Sequence, residues 1–401
     1  LTYSEEDQAF RAEVRTWLEE HLTGEWAALR GLGGAGRDHE AHDERLAWNR
    51  LLAEHGWTCV GWPQEYGGRG LSLTQQVIFH EEYAKADAPV RVNHLGEELL
   101  GPTLMAFGTQ EQKDRFLPKI VAVEELWAQG YSEPNAGSDL ANVQTKARLD
   151  GSAEDGGWVV DGQKVWTSNA HFSQWAFVVC RTEPGSERHR GLSFLLVPLE
   201  QDGVDVRPIE QLTGGSEFNE VFFTGARTAA DLVVGEPGEG WKVAMALLGF
   251  ERGVSVLAQV VGFARELDGV VDLAKASGAI DDPVLRDRLA GLKVELEVMR
   301  RQAMRGLSSD DAAGPSVFKL VWANWHKRLG EVAMDVLGPA GLTTATAEGY
   351  ELDRWQRLFL FSLADTIYGG SDEVQRNILA ERVLGLPREP KGSNQHREAR
   401  G

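Results

Sequence analysis

Tyr131-Ser132-Glu133-Pro134-Asn135-Ala136-Gly137-Ser138-Asp139 and Trp166-Thr167-Ser168-Asn169 are the two stretches on which the reading of this chain turns. The first is a polar loop with glycine and proline, placed directly after an apolar run that ends at Trp127. In such a loop backbone N–H groups and short hydroxyls can approach a planar ligand. The second stretch ends a strand. Asp161-Gly162, lying between Trp158-Val159-Val160 and Lys164-Val165-Trp166, reads as a two-residue hairpin turn, so Trp166 and Ser168 are expected to leave a sheet edge at a fixed place. Two hydroxyl-bearing loops and an indole can together cradle a flat heterocycle.

The segments on either side differ in period. Ser4-Glu5-Glu6-Asp7 begins like a helix N-terminus, and Phe10, Val14, Trp17 and Leu18 recur at helical spacing. Helical patterns continue to Pro118, broken at Pro63-Gln64-Glu65-Tyr66-Gly67-Gly68-Arg69-Gly70. Thr109-Gln110-Glu111-Gln112 reads as a capping box, with Phe116-Leu117-Pro118 as the exit of its helix. From about 123 to 232 short strands take over: 158–160, 176–180, 192–197, 204–209 and 221–223, with Gly, Pro and Asp between them. Helical patterning returns at Gly240-Trp241, with breaks at Asp282-Pro283 and Leu337-Gly338-Pro339. The expected order is helical 1–122, a small antiparallel β-domain over 123–232, helical 233–388, and a polar tail 389–401.

Composition narrows the function classes. With 401 residues there is room for two or three packed domains. A hydrophobic fraction of 42% and 25% charged residues describe an ordinary globular protein, and no run approaches the roughly 18 apolar residues of a spanning helix. The net charge of −20 argues against a nucleic-acid footprint, which needs a clustered basic surface. Cys59 and Cys180 are too few for a disulfide framework or zinc cluster, so a reducing, cytoplasmic compartment is expected, with neither secretion signal nor membrane segment. His80, His94, His171 and His326 lack metal-ligand spacing and read as surface or core polar residues. Gly31-Leu32-Gly33-Gly34-Ala35-Gly36 fits G-x-G-x-x-G, but no strand precedes it, which argues against a dinucleotide site. No G-x-S-x-G elbow supports a serine hydrolase.

The two central loops resemble the acyl-CoA dehydrogenase family. Its T-E-P-x-A-G-S-D string is matched from Ser132 to Asp139, and its G-x-K-x-W-I-T-N segment by Gly162-Gln163-Lys164-Val165-Trp166-Thr167-Ser168-Asn169. A third match lies near the C-terminus, and the likeness runs from about residue 4 to about residue 388. The resemblance implies three domains, helical, β and helical, with FAD contacted by Tyr131, Ser132, Trp166, Ser168, Ser371 and Glu373. It places Ser138 and Arg252 beside the acyl-CoA. It implies electron transfer to an electron-transfer flavoprotein, and a homo-oligomer, dimer or tetramer, because the family completes its flavin sites across subunits.

Desaturating a thioester between Cα and Cβ requires a base for the α-proton and a flavin to accept hydride. A desolvated carboxylate suits the first task. Many family members carry that base in I-Y-E-G-T, whereas this chain reads Ile367-Tyr368-Gly369-Gly370-Ser371. A minority, including isovaleryl- and long-chain-type enzymes, use a glutamate in an E-R pair, matched by Glu251-Arg252. On a helix Glu251 would share a face with Leu247, Leu248, Val254 and Ala258. The resemblance thus implies Glu251 as base and the Gly369 backbone N–H as the group that polarises the thioester carbonyl. Glu133 is expected to buttress its loop.

Two departures stand out. Where the family has R-x-x-F-G, whose arginine meets the flavin pyrophosphate of a neighbouring subunit, the chain has Ser277-Gly278-Ala279-Ile280-Asp281-Asp282-Pro283. The Q-x-x-G-G-x-G glutamine is replaced by Asp335. These favour a second reading, a flavin-poor non-catalytic subunit of a mixed complex, which the intact Tyr131-Ser132, Trp166, Ser168 and Glu251 oppose. A flavin monooxygenase on the same fold is the third, and it would not need Glu251.

Overall fold

The computed structural model describes residues 3–34, 36–151, 156–250, 255–307, 313–344 and 351–388. Five α-helices come first among them: α1 (Glu5–His21), α2 (His42–Glu54), α3 (Leu73–Lys85), α4 (Gly101–Phe107) and α5 (Gln110–Val121). The Ser4 hydroxyl accepts from Asp7 N at 3.1 Å while Asp7 accepts from Ser4 N at 2.9 Å, a capping box at the expected helix N-terminus. Phe10, Val14 and Leu18 of α1 are buried, as their spacing predicts, with Trp17 at the edge of the same cluster. Thr109 and Gln112 close a second box. Pro118 does not end its helix: α5 runs on to Val121, because the carbonyl that proline leaves unpaired, at the exposed Asp114, can be met by water.

Seven strands follow: β1 (Trp127–Gly130), β2 (Lys146–Asp150), β3 (Gly157–Ser168), β4 (Trp175–Arg181), β5 (Leu192–Pro198), β6 (Val204–Pro208) and β7 (Phe218–Ala229). They form one sheet ordered β1-β4-β2-β3-β7-β6, with β5 also on β4. The sheet is mixed rather than wholly antiparallel, since β1 and β2 both pair with β4 in parallel. The continuous apolar run Ala176–Cys180 explains the position of β4, because both of its faces are buried. Phe177 and Val179 pack with Leu104, Phe116 and Leu247 from the helices, while Ala176, Val178 and Cys180 pack with Leu195 and Val197 on the other side.

The hairpin expected at Asp161-Gly162 is absent. β3 passes straight through, because β7 is as long and pairs with both halves; the register shifts by a bulge between Val160 and Asp161. Asp161 accepts from Gly225 N at 2.7 Å. Glycine is required at 162 because a Cβ there would lie 2.7 Å from the Thr145 Cα.

Helices return as α6 (Gly240–Phe250), α7 (Ser255–Ser277), α8 (Pro283–Leu307), α9 (Gly314–Leu337), α10 (Arg354–Ser362) and α11 (Asp372–Ile378). Leu267, Leu296, Trp325 and Leu329 are buried at the centre of this bundle. Each such side chain contributes about 1.5–3 kcal/mol relative to exposure.

Candidate functional site

Lys164 of β3 and Glu133 of the preceding loop form an ion pair at 2.8 Å, with side chains 0% and 7% exposed. Lys164 Nζ also donates to Tyr131 O at 3.0 Å and Val179 O at 2.7 Å, which satisfies all three of its donors. The Glu133 carboxylate accepts from Gln144 N at 2.6 Å and Thr145 N at 2.9 Å. Val165 N donates to Ser132 O at 2.9 Å, so the two loops form one unit. Tyr131 is buried edge-on to Phe177 and Phe194, and its hydroxyl reaches Ala244 O of α6 at 3.4 Å.

Burial pulls Lys164 below the ordinary lysine range against the attraction of Glu133. Burial also pushes Glu133 up, but Lys164 and the amide donors outweigh it and leave the carboxylate below its usual value. The two directions disagree about how firmly the pair holds its charges. The fully satisfied donors of Lys164 decide for the ionised form. Because Glu133 is depressed, its stabilisation is present above the ordinary value of 4.5 and lost as pH falls through the lower folded value. The thermal midpoint should therefore drop on acidification below about pH 4.5, and Glu133→Gln should flatten that part of the profile. An identical acid limb in the variant would contradict this.

Between Lys164 and Thr167 the β3–β7 register shifts a second time. Trp166, at this bulge, has φ 59° and is 57% exposed. A bulky residue at positive φ is a true outlier and points to function. Here it turns the indole out of the sheet, edge-on to Phe218 at 6.2 Å. Ser168 is half-buried beside it. Asn169, also at positive φ, donates from its backbone to Glu217 O at 2.7 Å.

The remaining expected residues lie in the C-terminal helices or outside the described residues. Gly369 and Gly370 have φ 61° and 88°. The Gly369 N–H has no hydrogen-bond partner among the described residues. Ser371 caps α11, accepting from Val374 N at 3.4 Å. Glu373 is exposed in the first turn of that helix, and its own backbone N–H and Ser371 hold its carboxylate below the usual range. Ser138 is exposed in its loop. Glu251 and Arg252 lie outside the described residues; α6 ends at Phe250 and α7 begins at Ser255.

One further loop takes part, through contacts that the sequence did not show. The glycine-rich loop after α1 joins the strand end to the C-terminal helices: Asn169 donates to Asp38 at 3.3 Å, Arg357 of α10 pairs with Glu40 at 3.3 Å, and Phe361 and Thr213 flank Gly36. The space above Gly33 is filled by the Arg45 guanidinium, 2.2 Å from where a Cβ would sit. These contacts span 131 and 317 residues along the chain, beyond the reach of any local pattern. Beside them His42 stacks on Phe172 at 3.7 Å, and burial lowers the pKa of both His42 and His171. Asp335 pairs with Arg288 of α8 at 2.5 Å, so the residue in place of the glutamine is engaged within its own bundle.

A tyrosine packed beneath the loop, an exposed indole and the hydroxyls of Ser132 and Ser168 fit a flat heterocycle with polar edges. Among the described residues no group of His, Cys, Asp or Glu could hold a metal ion, and no helix is long and apolar enough to cross a membrane.

Comparison with known proteins agrees over nearly the whole chain. The N-terminal, middle and C-terminal domains of acyl-CoA dehydrogenase match residues 4–124, 128–226 and 238–384. Acyl-CoA dehydrogenase IpdE1 of Mycolicibacterium smegmatis is 63% identical over 393 residues, covering 96% of this chain and 100% of that protein. IpdE1 of Mycobacterium tuberculosis is 62% identical over 388 residues, covering 96% and 99%. The solved Tcur3481-Tcur3483 steroid ACAD superposes with TM-score 0.83 at 29% identity, covering 97% and 99%. The ChsE4-ChsE5 complex from Mycobacterium tuberculosis does so with TM-score 0.80 at 32% identity, covering 97% and 100%. With the helix–sheet–helix order, the joined loops and full-length relatives in agreement, the chain belongs to the acyl-CoA dehydrogenase family and is an oxidoreductase of that kind.

Proposed function

We propose that the protein is an FAD-dependent enzyme that removes the α-proton of an acyl-CoA through Glu251. When bound, the flavin supplies the acceptor for the hydride leaving Cβ. Tyr131, Ser132, Trp166 and Ser168 hold the ring, and Ser371 and Glu373 lie along the same cofactor. The observation that carries this reading is the Trp166 indole, held out of the sheet at φ 59° beside the two tied loops. The Gly369 N–H donates to the thioester oxygen, where it stabilises the negative charge that develops as the proton departs. Ser138 and Arg252 contact the acyl-CoA, and electrons pass on to an electron-transfer flavoprotein. With no side chain at 369, room is left beside the α-carbon; this, with a structural relative titled a steroid ACAD, favours a bulky acyl group.

The test is the absorption spectrum of the purified protein, followed by anaerobic bleaching with butyryl-CoA, octanoyl-CoA and cholyl-CoA. Bound oxidised flavin bleached by at least one thioester is the expected result. A protein that stays colourless with excess FAD, its thermal midpoint unmoved, would refute the assignment of the loops. Bound FAD with no thioester oxidised would favour the monooxygenase reading. Trp166→Ala should weaken FAD binding roughly two- to tenfold, the equivalent of about 0.5–1.5 kcal/mol for an aromatic stacking partner. Its stability should change by less than about 1 kcal/mol, as for other exposed positions. Unchanged affinity in this variant would mean that the indole faces something else.

A second observation favours a mixed assembly over a homo-oligomer. Ser277–Pro283 offers no arginine, and Asp335 is paired with Arg288, so this chain lacks the family's means of holding the dinucleotide end of a neighbour's flavin. A different partner chain would supply those groups to this chain's FAD and carry no functional flavin of its own. Light scattering with flavin quantitation should then show one FAD per pair of unlike chains; one FAD per chain in a homo-oligomer would exclude it.

A further inference from the structure

Between α7, α9 and the turn that follows α10 lies a buried charged cluster to which nothing above gives a role. His326 of α9 is 5% exposed. Its Nδ1 is 2.5 Å from Asp365 Oδ2 and its Nε2 is 3.0 Å from Glu266 Oε2 of α7. Asp365, 1% exposed, accepts a second hydrogen bond on Oδ1 from the Tyr368 hydroxyl at 2.6 Å. Its main-chain carbonyl accepts from Lys319 Nζ at 2.5 Å. Lys319 and Tyr368 also face one another, with the ammonium 4.1 Å from the Trp322 ring centroid and 4.7 Å from that of Tyr368. Two carboxylates and two cations thus meet in one knot. Burial works against charge on His326, but Glu266 and Asp365 outweigh it and raise its pKa to about 10, so both ring nitrogens donate near neutrality.

The position of the knot matters more than its charge. The turn it grips contains Asp365 and Tyr368 and leads directly into Gly369, whose positive φ aims a backbone N–H that has no partner among the described residues. Glycines at 369 and 370 have no side chains with which to fix that orientation. The other end of the knot is α7, the helix that begins at Ser255, just beyond Glu251. We propose that His326, clamped between Glu266 and Asp365, is a positioning residue that sets the Gly369 N–H relative to α7, which begins shortly after Glu251 in the sequence. This rests on the proposed roles of Gly369 and Glu251. An oxyanion donor acts only within a few tenths of an ångström of its position, and a fixed carboxylate–imidazolium–carboxylate bridge is stiffer than a two-glycine turn.

The experiment compares His326→Gln, Asp365→Asn, the double variant and Tyr368→Phe with wild type, each loaded with FAD. The thioester is whichever of butyryl-, octanoyl- and cholyl-CoA wild type oxidises best. Two readouts are used: kcat against KM, and exchange of the α-proton for solvent deuterium, which reports proton removal without net oxidation. Expected are a tenfold or greater loss in kcat and a parallel loss in exchange for His326→Gln, with KM within about threefold and the flavin spectrum unchanged. The double variant should be no worse than the poorer single one, since the two residues act as a unit. Tyr368→Phe removes one hydroxyl from a half-exposed ring, folds regardless, and should lose about threefold in kcat and exchange. If His326→Gln folds and retains wild-type exchange, the proposal is overturned. If it does not fold, wild-type exchange in Tyr368→Phe overturns it equally. Failure of wild type to oxidise any thioester strikes the proposed function instead, so the two failures are distinguishable.

Discussion

Lys164→Met is expected to destabilise the protein by about 3–5 kcal/mol, the range for breaking a buried ion pair by removing one partner. The Lys164 side chain is wholly buried, and its ammonium meets Glu133, Tyr131 O and Val179 O. Without it, the Glu133 carboxylate would keep two amide donors and lose its counter-charge, and the Tyr131 and Val179 carbonyls would each lose a donor. The loss would fall on the loop that presents Tyr131 and Ser132, so FAD retention should decline together with stability. Combining Lys164→Met with Glu133→Gln should recover part of the loss, because the amide is uncharged and its one oxygen still accepts from one of the two backbone N–H groups that Glu133 holds, Gln144 or Thr145. Urea denaturation of the apoprotein and FAD titration of each variant measure the two effects. A single variant within about 1 kcal/mol of wild type, at the level of an exposed substitution, would show the pair to be dispensable.

The pairing of Glu133 with Lys164 illustrates what the sequence could and could not tell. The loop and the strand were legible from turn residues and alternation, and the match to two flavin segments placed them together. The buttressing role expected of Glu133 is what the geometry shows, whereas its partner could not be named from spacing. Asp161-Gly162 has the chemistry of a hairpin, and only the length of β7 decides that it is a bulge. Long-range pairing overrode a local turn signal there. The Trp166 conformation depends on a second register slip, and register is a property of two strands rather than one. Helices α1 and α5 began where capping boxes said they should, because a cap is a contact between residues three apart. The loop around Asp38 and the knot around His326 were out of reach for the opposite reason. His326 read as a surface or core polar residue, and the two carboxylates that hold it in the core lie 60 and 39 residues away.

Glu251→Gln should lower the rate of α,β-desaturation by about 10²–10⁴-fold, the usual cost of losing a general base, with FAD and acyl-CoA binding spared. At position 369, where the family's common base would stand, this chain has glycine. A backbone N–H can polarise a carbonyl but cannot take a proton, so the proposed mechanism draws its carboxylate from Glu251, whose Glu251-Arg252 pair matches the family's alternative E-R string. The amide preserves shape and removes basicity, so the loss should appear in kcat and in α-proton exchange, with KM changed little. The reciprocal change, Gly369→Glu in the Glu251→Gln background, should restore some turnover with straight-chain thioesters such as octanoyl-CoA. The backbone limits how much. Gly369 sits at φ 61°, a conformation that costs a residue with a side chain roughly 1–2 kcal/mol. Moving the turn to relieve that strain would also displace the N–H proposed to polarise the thioester. Rescue should therefore be partial, and its defect should lie in proton exchange rather than in flavin binding. Near-wild-type turnover in Glu251→Gln alone would sink this mechanism, since no other carboxylate has been assigned to the α-proton and some unrecognised base would have to be doing that work.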